Sequence, residues 1–302
     1  MSLHTPIVSV CIPVFNCEAF IESAITSVLQ QTFQNFELII IDDQSTDHVY
    51  DVIRRLADSV NDDRLKVFRN DKNLGPEANW NFCLSKAKGR FIKVMGGDDI
   101  LYPDCLELQV RILSNPQYED IAFVSGWRDI IDPRGNVLMR NRGMKNRRII
   151  QGDGRLRRDD AFRMILRSGT NPIGEPVAVL FRSDLVQKTG VFSGRDIPYL
   201  IDLDQWCRFL QSGHLYVLAQ TICAFRVSNT SWSYKLGNAQ FHQVRRFFLQ
   251  LHREHQMHAL FDLTLGICMA FVLCRMRGWL YFFFRLREYY QNKQQKTPSC
   301  IK

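Results

Sequence analysis

Short, β-branched apolar runs alternate with helix-length amphipathic stretches over the first 125 residues, and this alternation constrains the fold more than any other feature. The runs at 7–12, 36–41, 65–68, 91–95 and 121–124 predict strands. Segments 18–31, 47–60, 77–86 and 104–113 carry apolar residues at helical spacing, as with Phe20, Ile21, Ala24, Ile25, Val28 and Leu29, and predict helices. Strict alternation of strand and helix builds βαβ units, which need a parallel sheet covered on both faces. The expected class is therefore α/β, a Rossmann-like, mostly parallel sheet flanked by helices. Ligands of such sheets bind at the carboxyl ends of strands, so the polar residues that follow each run are the candidates for chemistry.

Past residue 125 the pattern changes. Residues 128–158 hold Gly135, Gly143, Gly152 and Gly154, few apolar residues, and the basic cluster Arg140, Arg142, Lys145, Arg147 and Arg148, and they read as a long surface loop. A strand at 177–181, a helix at 202–211, a strand at 215–218 and a helical C-terminal tail over 239–290 follow. Charge divides along the same line. Residues 1–120 carry 18 acids and 11 bases, whereas the remainder carries 13 acids and 28 bases, so the overall +8 conceals an acidic start and a strongly basic end.

Several function classes drop out. The nine cysteines are odd in number, include no C-x-x-C and fall mostly in apolar segments, as expected of reduced thiols in a cytoplasmic protein. No G-x-x-x-x-G-K-[ST] occurs and no G-x-G-x-x-G follows the first strand, which disfavours P-loop and dinucleotide chemistry; no nucleic-acid recognition motif accompanies the basic residues. The longest apolar run, at 263–274, is well short of the roughly 20 residues that span a bilayer.

Three acidic constellations remain. The strand at 36–41 runs into Asp42, Asp43, Gln44, Ser45, Thr46 and Asp47. A capped turn accounts for Ser45 to Asp47, while a carboxylate at this edge also accepts hydrogen bonds from a base N–H or a ribose hydroxyl; both readings stand. The strand at 91–95 ends in Gly96-Gly97-Asp98-Asp99, where two glycines permit close backbone approach and two acids offer hard oxygen ligands for Mg²⁺ or Mn²⁺ beside phosphates; a tight turn is the alternative. Asp202 and Asp204 open an apolar-periodic helix, and because residues two apart point in different directions, one serves as a base only if the other is structural.

Taken in order, Val8-Ser9-Val10-Cys11-Ile12-Pro13-Val14-Phe15-Asn16, Ser27-Val28-Leu29-Gln30-Gln31-Thr32-Phe33, Asp42-Asp43-Gln44-Ser45-Thr46-Asp47, Asn73-Leu74-Gly75, Lys88-Gly89-Arg90, Asp98-Asp99 and Asp202-Leu203-Asp204-Gln205-Trp206 resemble the inverting glycosyltransferase family two, with its GT-A fold, over residues 6–233. The resemblance implies that Pro13 and Phe15 line a nucleotide-base pocket, Phe15 by stacking, and that Asp43 accepts a hydrogen bond from the base. Asp98 and Asp99 would address the ribose and a divalent metal, Mn²⁺ or Mg²⁺, and Asp202 would be the catalytic base. The stretch 171–176 resembles an acceptor-side loop in which Glu175 contacts sugar hydroxyls, and a Pro-Gly turn explains it equally well. Gly96 stands where many members carry an acid, and so does Ile201.

The expectation that follows is a metal-dependent transfer of sugar from a UDP-linked donor to a hydroxyl of a glycan or lipid-pyrophosphate-linked glycan, in surface or capsular polysaccharide synthesis. Residues 1–125 would form the donor half of the GT-A domain, 126–237 the acceptor half and 238–302 a helical region. The basic half and the tail suit an anionic membrane surface, at the inner face of the cell membrane. The competing reading is a non-catalytic glycan- or nucleotide-binding scaffold on the same fold.

Overall fold

A computed structural model of the chain describes residues 5–152, 154–192, 200–227, 239–254 and 260–295, with side chains given through Met276. The chain divides into two compact units, Met1–Met164 with Asn171–Val227, and Ile165–Thr170 with Ser228–Lys302.

The first unit opens as the alternation dictates: β1 (Val8–Val14), α1 (Glu18–Leu29), β2 (Phe36–Asp42), α2 (Val49–Val60), β3 (Leu65–Arg69), α3 (Pro76–Lys86), β4 (Phe91–Val94), β5 (Ile100–Leu101) and α4 (Cys105–Leu113). The chain continues through β6 (Ile121–Ile131), β7 (Val137–Arg142), α5 (Arg147–Ile150), β8 (Arg155–Leu156), α6 (Arg158–Ser168), of which the residues from Ile165 onward count with the second unit, β9 (Val179–Arg182), α7 (Asp184–Thr189), α8 (Ile201–Phe209) and β10 (His214–Arg226). The sheet order is β3-β2-β1-β4-β9-β6-β10-β5, with β7 paired to β6 and β8 to β10. Strands β1 to β4 are parallel, and nearly every residue of β1 and β2 is buried, which is why their sequences read as continuous apolar runs rather than alternating ones.

Two expectations about the extent of strands are corrected. The stretch 128–158 is not a loop. Strand β6 runs on to Ile131 and turns back as β7, and the buried polar residues Arg128 and Asp129 are tolerated there because each has partners across the sheet. The apolar run ends at Val124 because Ser125 and Gly126 follow it, although the strand continues through them. Likewise β10 covers 13 residues rather than four, running through polar Gln220 and Thr221 to Arg226. The sheet is also mixed, since β9 lies antiparallel between β4 and β6 and β5 is antiparallel to β10.

At the amino end of the strands a polar seam fixes the register of β1 against β2. Ser9 faces Glu37 across the pair and donates to its Oε1 at 2.6 Å, while Lys66 Nζ stands 2.5 Å from Oε2 and the Lys88 N–H donates to Oε1 at 2.8 Å. Ser9 Oγ accepts from Gly89 N at 2.8 Å, and a Cβ at position 89 would lie 2.5 Å from Ser9 N, so only glycine lets the chain pass this close. In the second unit α9 (Ala239–Glu254) and α10 (Leu260–Gln295) pack through Phe248 and Gly266; a Cβ on Gly266 would meet the Leu166 carbonyl, and Arg167 pairs with buried Asp262 at 2.5 Å. Among the described residues no helix is long and apolar enough to cross a membrane.

Burial works against the ionised form of Glu37, but Lys66, Ser9 and the Lys88 N–H outweigh it and hold the carboxyl below the usual glutamate range. A group depressed in the folded state stabilises above its unfolded value and loses that contribution as pH falls. Glu37→Gln is therefore expected to cost about 1.5–3 kcal/mol at pH 7 in urea unfolding, with the difference from wild type closing below about pH 4.

Candidate active site

The carboxyl ends of β1, β2 and β4 meet in one region because Val14 O accepts from Asp43 N at 2.8 Å and Cys11 O from Met95 N at 3.0 Å. After β1 the chain leaves through Pro13 in the strand and Phe15 beyond it, the latter 50% exposed and free to stack on a planar group. Asn16, at φ 50°, turns the chain and accepts Thr46 N at 2.8 Å, zipping the loop after β1 to the loop after β2.

Asp42 and Asp43 are both buried but do different work. Asp42 pairs with Arg69 at 3.0 Å and accepts from Ser45 N, as a turn residue would. Asp43 Oδ1 accepts from Asn70 Nδ2 at 2.7 Å and from Leu74 N at 2.8 Å, and Oδ2 accepts from Gly75 N at 2.9 Å. Its carboxylate thus anchors the 70–75 loop, with α3 starting at Pro76, and its lone-pair capacity toward any ligand is correspondingly reduced.

The Gly96-Gly97-Asp98-Asp99 turn is held from β10. Arg226 N donates to Asp99 Oδ1 at 3.1 Å and Arg226 Nε to Asp98 O at 2.8 Å, while Nη1 reaches Asp132 O at 2.9 Å and the guanidinium lies 4.8 Å from the Phe20 ring centre. Asp99 Oδ2 also accepts from Gly96 N at 3.2 Å. Burial, then the neighbouring Asp98 charge, push the Asp99 carboxyl well above the normal range, against the Arg226 and Gly96 N–H groups; burial also raises Asp98, against its own backbone N–H and Arg226. A Cβ at Gly96 would lie 2.7 Å from Asp98 Oδ1 and 3.1 Å from Asp99 Oδ2. Both carboxylates therefore converge on space that the glycine leaves open. That arrangement fits a divalent cation completed by phosphate oxygens, and a side chain at position 96 would fill the space it needs. No group of three or more His, Cys, Asp or Glu side chains suited to a metal is found among the described residues, so such a cation would rest on two protein carboxylates.

Across the site, Asp202 lies in the first turn of α8, partly exposed. Its Oδ1 accepts from Leu203 N at 2.8 Å and its Oδ2 from Asn171 Nδ2 at 2.8 Å. Asn171 also closes its own loop through Gly174 N at 3.1 Å and Gly174 O at 2.9 Å, and Trp206 Nε1 donates to that same carbonyl at 3.0 Å. Glu175 pairs with Arg128, and its charge works to raise both Asp202 and Asp99. Burial, then Glu175, push the Asp202 carboxyl up to about 7, opposed by Leu203 N–H, Asn171 and Arg128. Asp204 is the structural partner: it pairs with Arg208 at 3.1 Å, and Arg208 donates to Thr189 O and Val191 O. Sequence reasoning missed Arg128, Asn171 and Arg226 as site residues. The only available signal was that Arg128 and Arg226 end up on adjacent strands, which becomes visible once β6 and β10 are drawn at full length.

A family model described as Glycosyl transferase family 2 matches residues 9–190. An uncharacterised protein of Mycobacterium tuberculosis is 34% identical over 211 residues, which is 68% of this chain and 62% of that protein. The Escherichia coli UDP-Glc:alpha-D-GlcNAc-diphosphoundecaprenol beta-1,3-glucosyltransferase WfgD is 34% identical over 126 residues, 42% of this chain and 47% of WfgD. The chain thus spans less than two thirds of the length of these relatives. Among solved structures, the mannosyltransferase PcManGT from Pyrobaculum calidifontis in complex with GDP-Man and Mn²⁺ shares the fold at a TM-score of 0.59 and 17% identity, covering 95% of this chain and 84% of the mannosyltransferase.

The ionisation of Asp202 has a measurable signature. With a folded-state value above the unfolded one, this group favours folding most below the unfolded carboxylate range near pH 4, and its contribution declines as pH rises to about 7. Asp202→Asn is expected to melt higher than wild type at pH 8, with the gap shrinking steadily toward pH 4 in calorimetric scans across that range.

Proposed function

Because the chain belongs to glycosyl transferase family 2, we propose that it transfers a sugar from a nucleotide-diphosphate donor, UDP-linked, to a hydroxyl of a glycan or lipid-pyrophosphate-linked glycan, with inversion at the anomeric carbon. The single observation that supports this best is the pairing of two unlike acidic sites: Asp98 and Asp99 converging over Gly96, and Asp202 held by Asn171 with its carboxyl raised to about 7. Two carboxylate sites with different environments suit a division of labour between phosphate-side charge and proton removal.

In this reading residues 1–125 form the donor side. Phe15 stacks on the base, Pro13 supports it, and Asp43 shapes the pocket wall through the 70–75 loop, with a lone pair left to meet the base edge. A divalent cation, Mn²⁺ or Mg²⁺, held by Asp98 and Asp99 would supply charge neutralisation for the departing diphosphate. Residues 126–237 form the acceptor side, where Glu175, fixed by Arg128, meets sugar hydroxyls.

Asp202 takes the proton of the acceptor hydroxyl. The acceptor oxygen bonds to the anomeric carbon as the bond from that carbon to the diphosphate oxygen breaks on the opposite face, so one displacement inverts the configuration. Asn171 and the Leu203 N–H aim the carboxylate, and burial keeps its proton affinity close to what proton transfer near neutral pH requires. The similarity to WfgD, whose acceptor is a diphosphoundecaprenol-linked GlcNAc, supports a lipid-linked acceptor.

Thermal stabilisation by UDP, GDP and dTDP, each with and without Mn²⁺, tests the donor assignment. A ligand at about 100 times its Kd adds about 2.7 kcal/mol to stability. The expected result is a shift with UDP that needs Mn²⁺ and vanishes in Asp99→Ala; no shift with any nucleotide would leave the scaffold reading in its place. With donor and acceptor supplied, Asp202→Asn is expected to lower kcat by about 10²- to 10⁴-fold while retaining the UDP shift, and wild-type kcat should rise with pH through an apparent value near 7.

A further inference from the structure

The exposed side of α10 runs against the usual pattern of a surface helix, which is apolar inward and polar outward. Its inward face, with Asp262, Leu263, Gly266 and Ala270, is buried within the second unit. Its outward face carries Phe261, Leu265, Cys268, Met269, Val272 and Met276, which follow one another at three- and four-residue spacing as a continuous stripe. Phe261 is 72% exposed and Met276 61%. Between residues 260 and 276 only Thr264 and Arg275 interrupt the exposed face with polar atoms. A stripe of more than four turns exceeds the scattered apolar residues normal on a surface and marks a contact surface.

Charge identifies what it contacts. Phe271, at one margin of the stripe, carries the Arg275 guanidinium 5.5 Å from its ring centre and packs edge-on against Phe241 of α9 at 5.6 Å. One turn beyond Phe241 stands Arg245, exposed, and the outward face of α9 continues with His242 and Arg253. The sequence then adds Arg277, Arg285 and Arg287 among Trp279, Tyr281 and Phe282 to Phe284. The only acids across α9 and α10 are Glu254, Asp262 and Glu288, and Asp262 is buried against Arg167. Apolar side chains edged by arginines and aromatic residues match the boundary between acyl chains and anionic headgroups.

We propose that the outward face of α10 seats the protein on an anionic membrane surface, the helix lying in the interfacial plane with its apolar stripe among the acyl chains and Arg245 and Arg275 against headgroup phosphates. Among the described residues no helix is long and apolar enough to cross a membrane. This inference rests on the second unit alone and does not depend on the donor chemistry.

The test is co-sedimentation of the full chain with phosphatidylcholine vesicles with and without phosphatidylglycerol, together with sedimentation velocity on the same protein without lipid. The expected result is binding to the anionic vesicles that weakens as salt rises, drops about tenfold or more in Val272→Asp/Met276→Asp, and falls selectively for anionic vesicles in Arg245→Ala/Arg275→Ala. The thermal unfolding transition of each variant, followed by circular dichroism, serves as the folding control and should match that of wild type. Absence of sedimentation with anionic vesicles, or equal binding by the stripe variant, overturns the proposal. So does a wild-type dimer that the stripe variant converts to monomer, since a second copy would then cover the face.

Discussion

The site depends on Arg226. Asp98 and Asp99 are adjacent acids in a turn that buries Asp99 and half-buries Asp98, and their mutual repulsion would open a Gly-Gly turn unless something fixed it. Arg226 fixes it with two different groups: its backbone N–H on the Asp99 carboxylate and its guanidinium on the Asp98 carbonyl and the carbonyls of Asp132 and Pro133. Because Arg226 ends the longest strand of the sheet, the turn after β4 is set by a residue more than 120 positions away. The strand partners of β10, among them β6 and β5, are thus part of what places the acids.

The opposite side is built on the same logic with weaker parts. Asp202 is aimed by an asparagine, a backbone N–H and a loop that Trp206 ties down, and among the described residues no ion pair to it is found. Arg128 is committed to Glu175 and to the Arg142 carbonyl. A direct arginine partner would depress the carboxyl and strip it of proton affinity, whereas amide donors orient it at lower electrostatic cost. The two acidic sites thus differ in bonding: Asp99 accepts from two backbone N–H groups in a turn braced by a guanidinium, and Asp202 accepts from an amide side chain and one backbone N–H.

Much of this was legible in the sequence. The buried parallel strands β1 to β4 announced themselves because both faces are covered and their apolar runs are unbroken. The acids that follow them were located by the same rule. The rest was hidden for identifiable reasons. Strands β6 and β10 carry Arg128, Asp129, Gln220 and Thr221, whose polarity is satisfied by partners distant in sequence, so local patterning broke them short. Asn171 acquires meaning only through a bond to a residue 31 positions on, and Asp43 reads as an open acceptor until the backbone of Leu74 and Gly75 is seen to occupy it. The exposed stripe on α10 looked like an apolar run; which side faces outward was settled by packing against Phe248 and Leu166.

The loop anchored by Asp43 carries one more consequence. Its amides are gripped by a carboxylate that belongs to the protein, so the ordering of this wall is complete on folding. A ligand that meets a wall already in place loses less to immobilisation and finds less latitude for accommodation. Changing the shape of this loop would then require loosening its grip on Asn70, Leu74 or Gly75 from within rather than altering its outer surface.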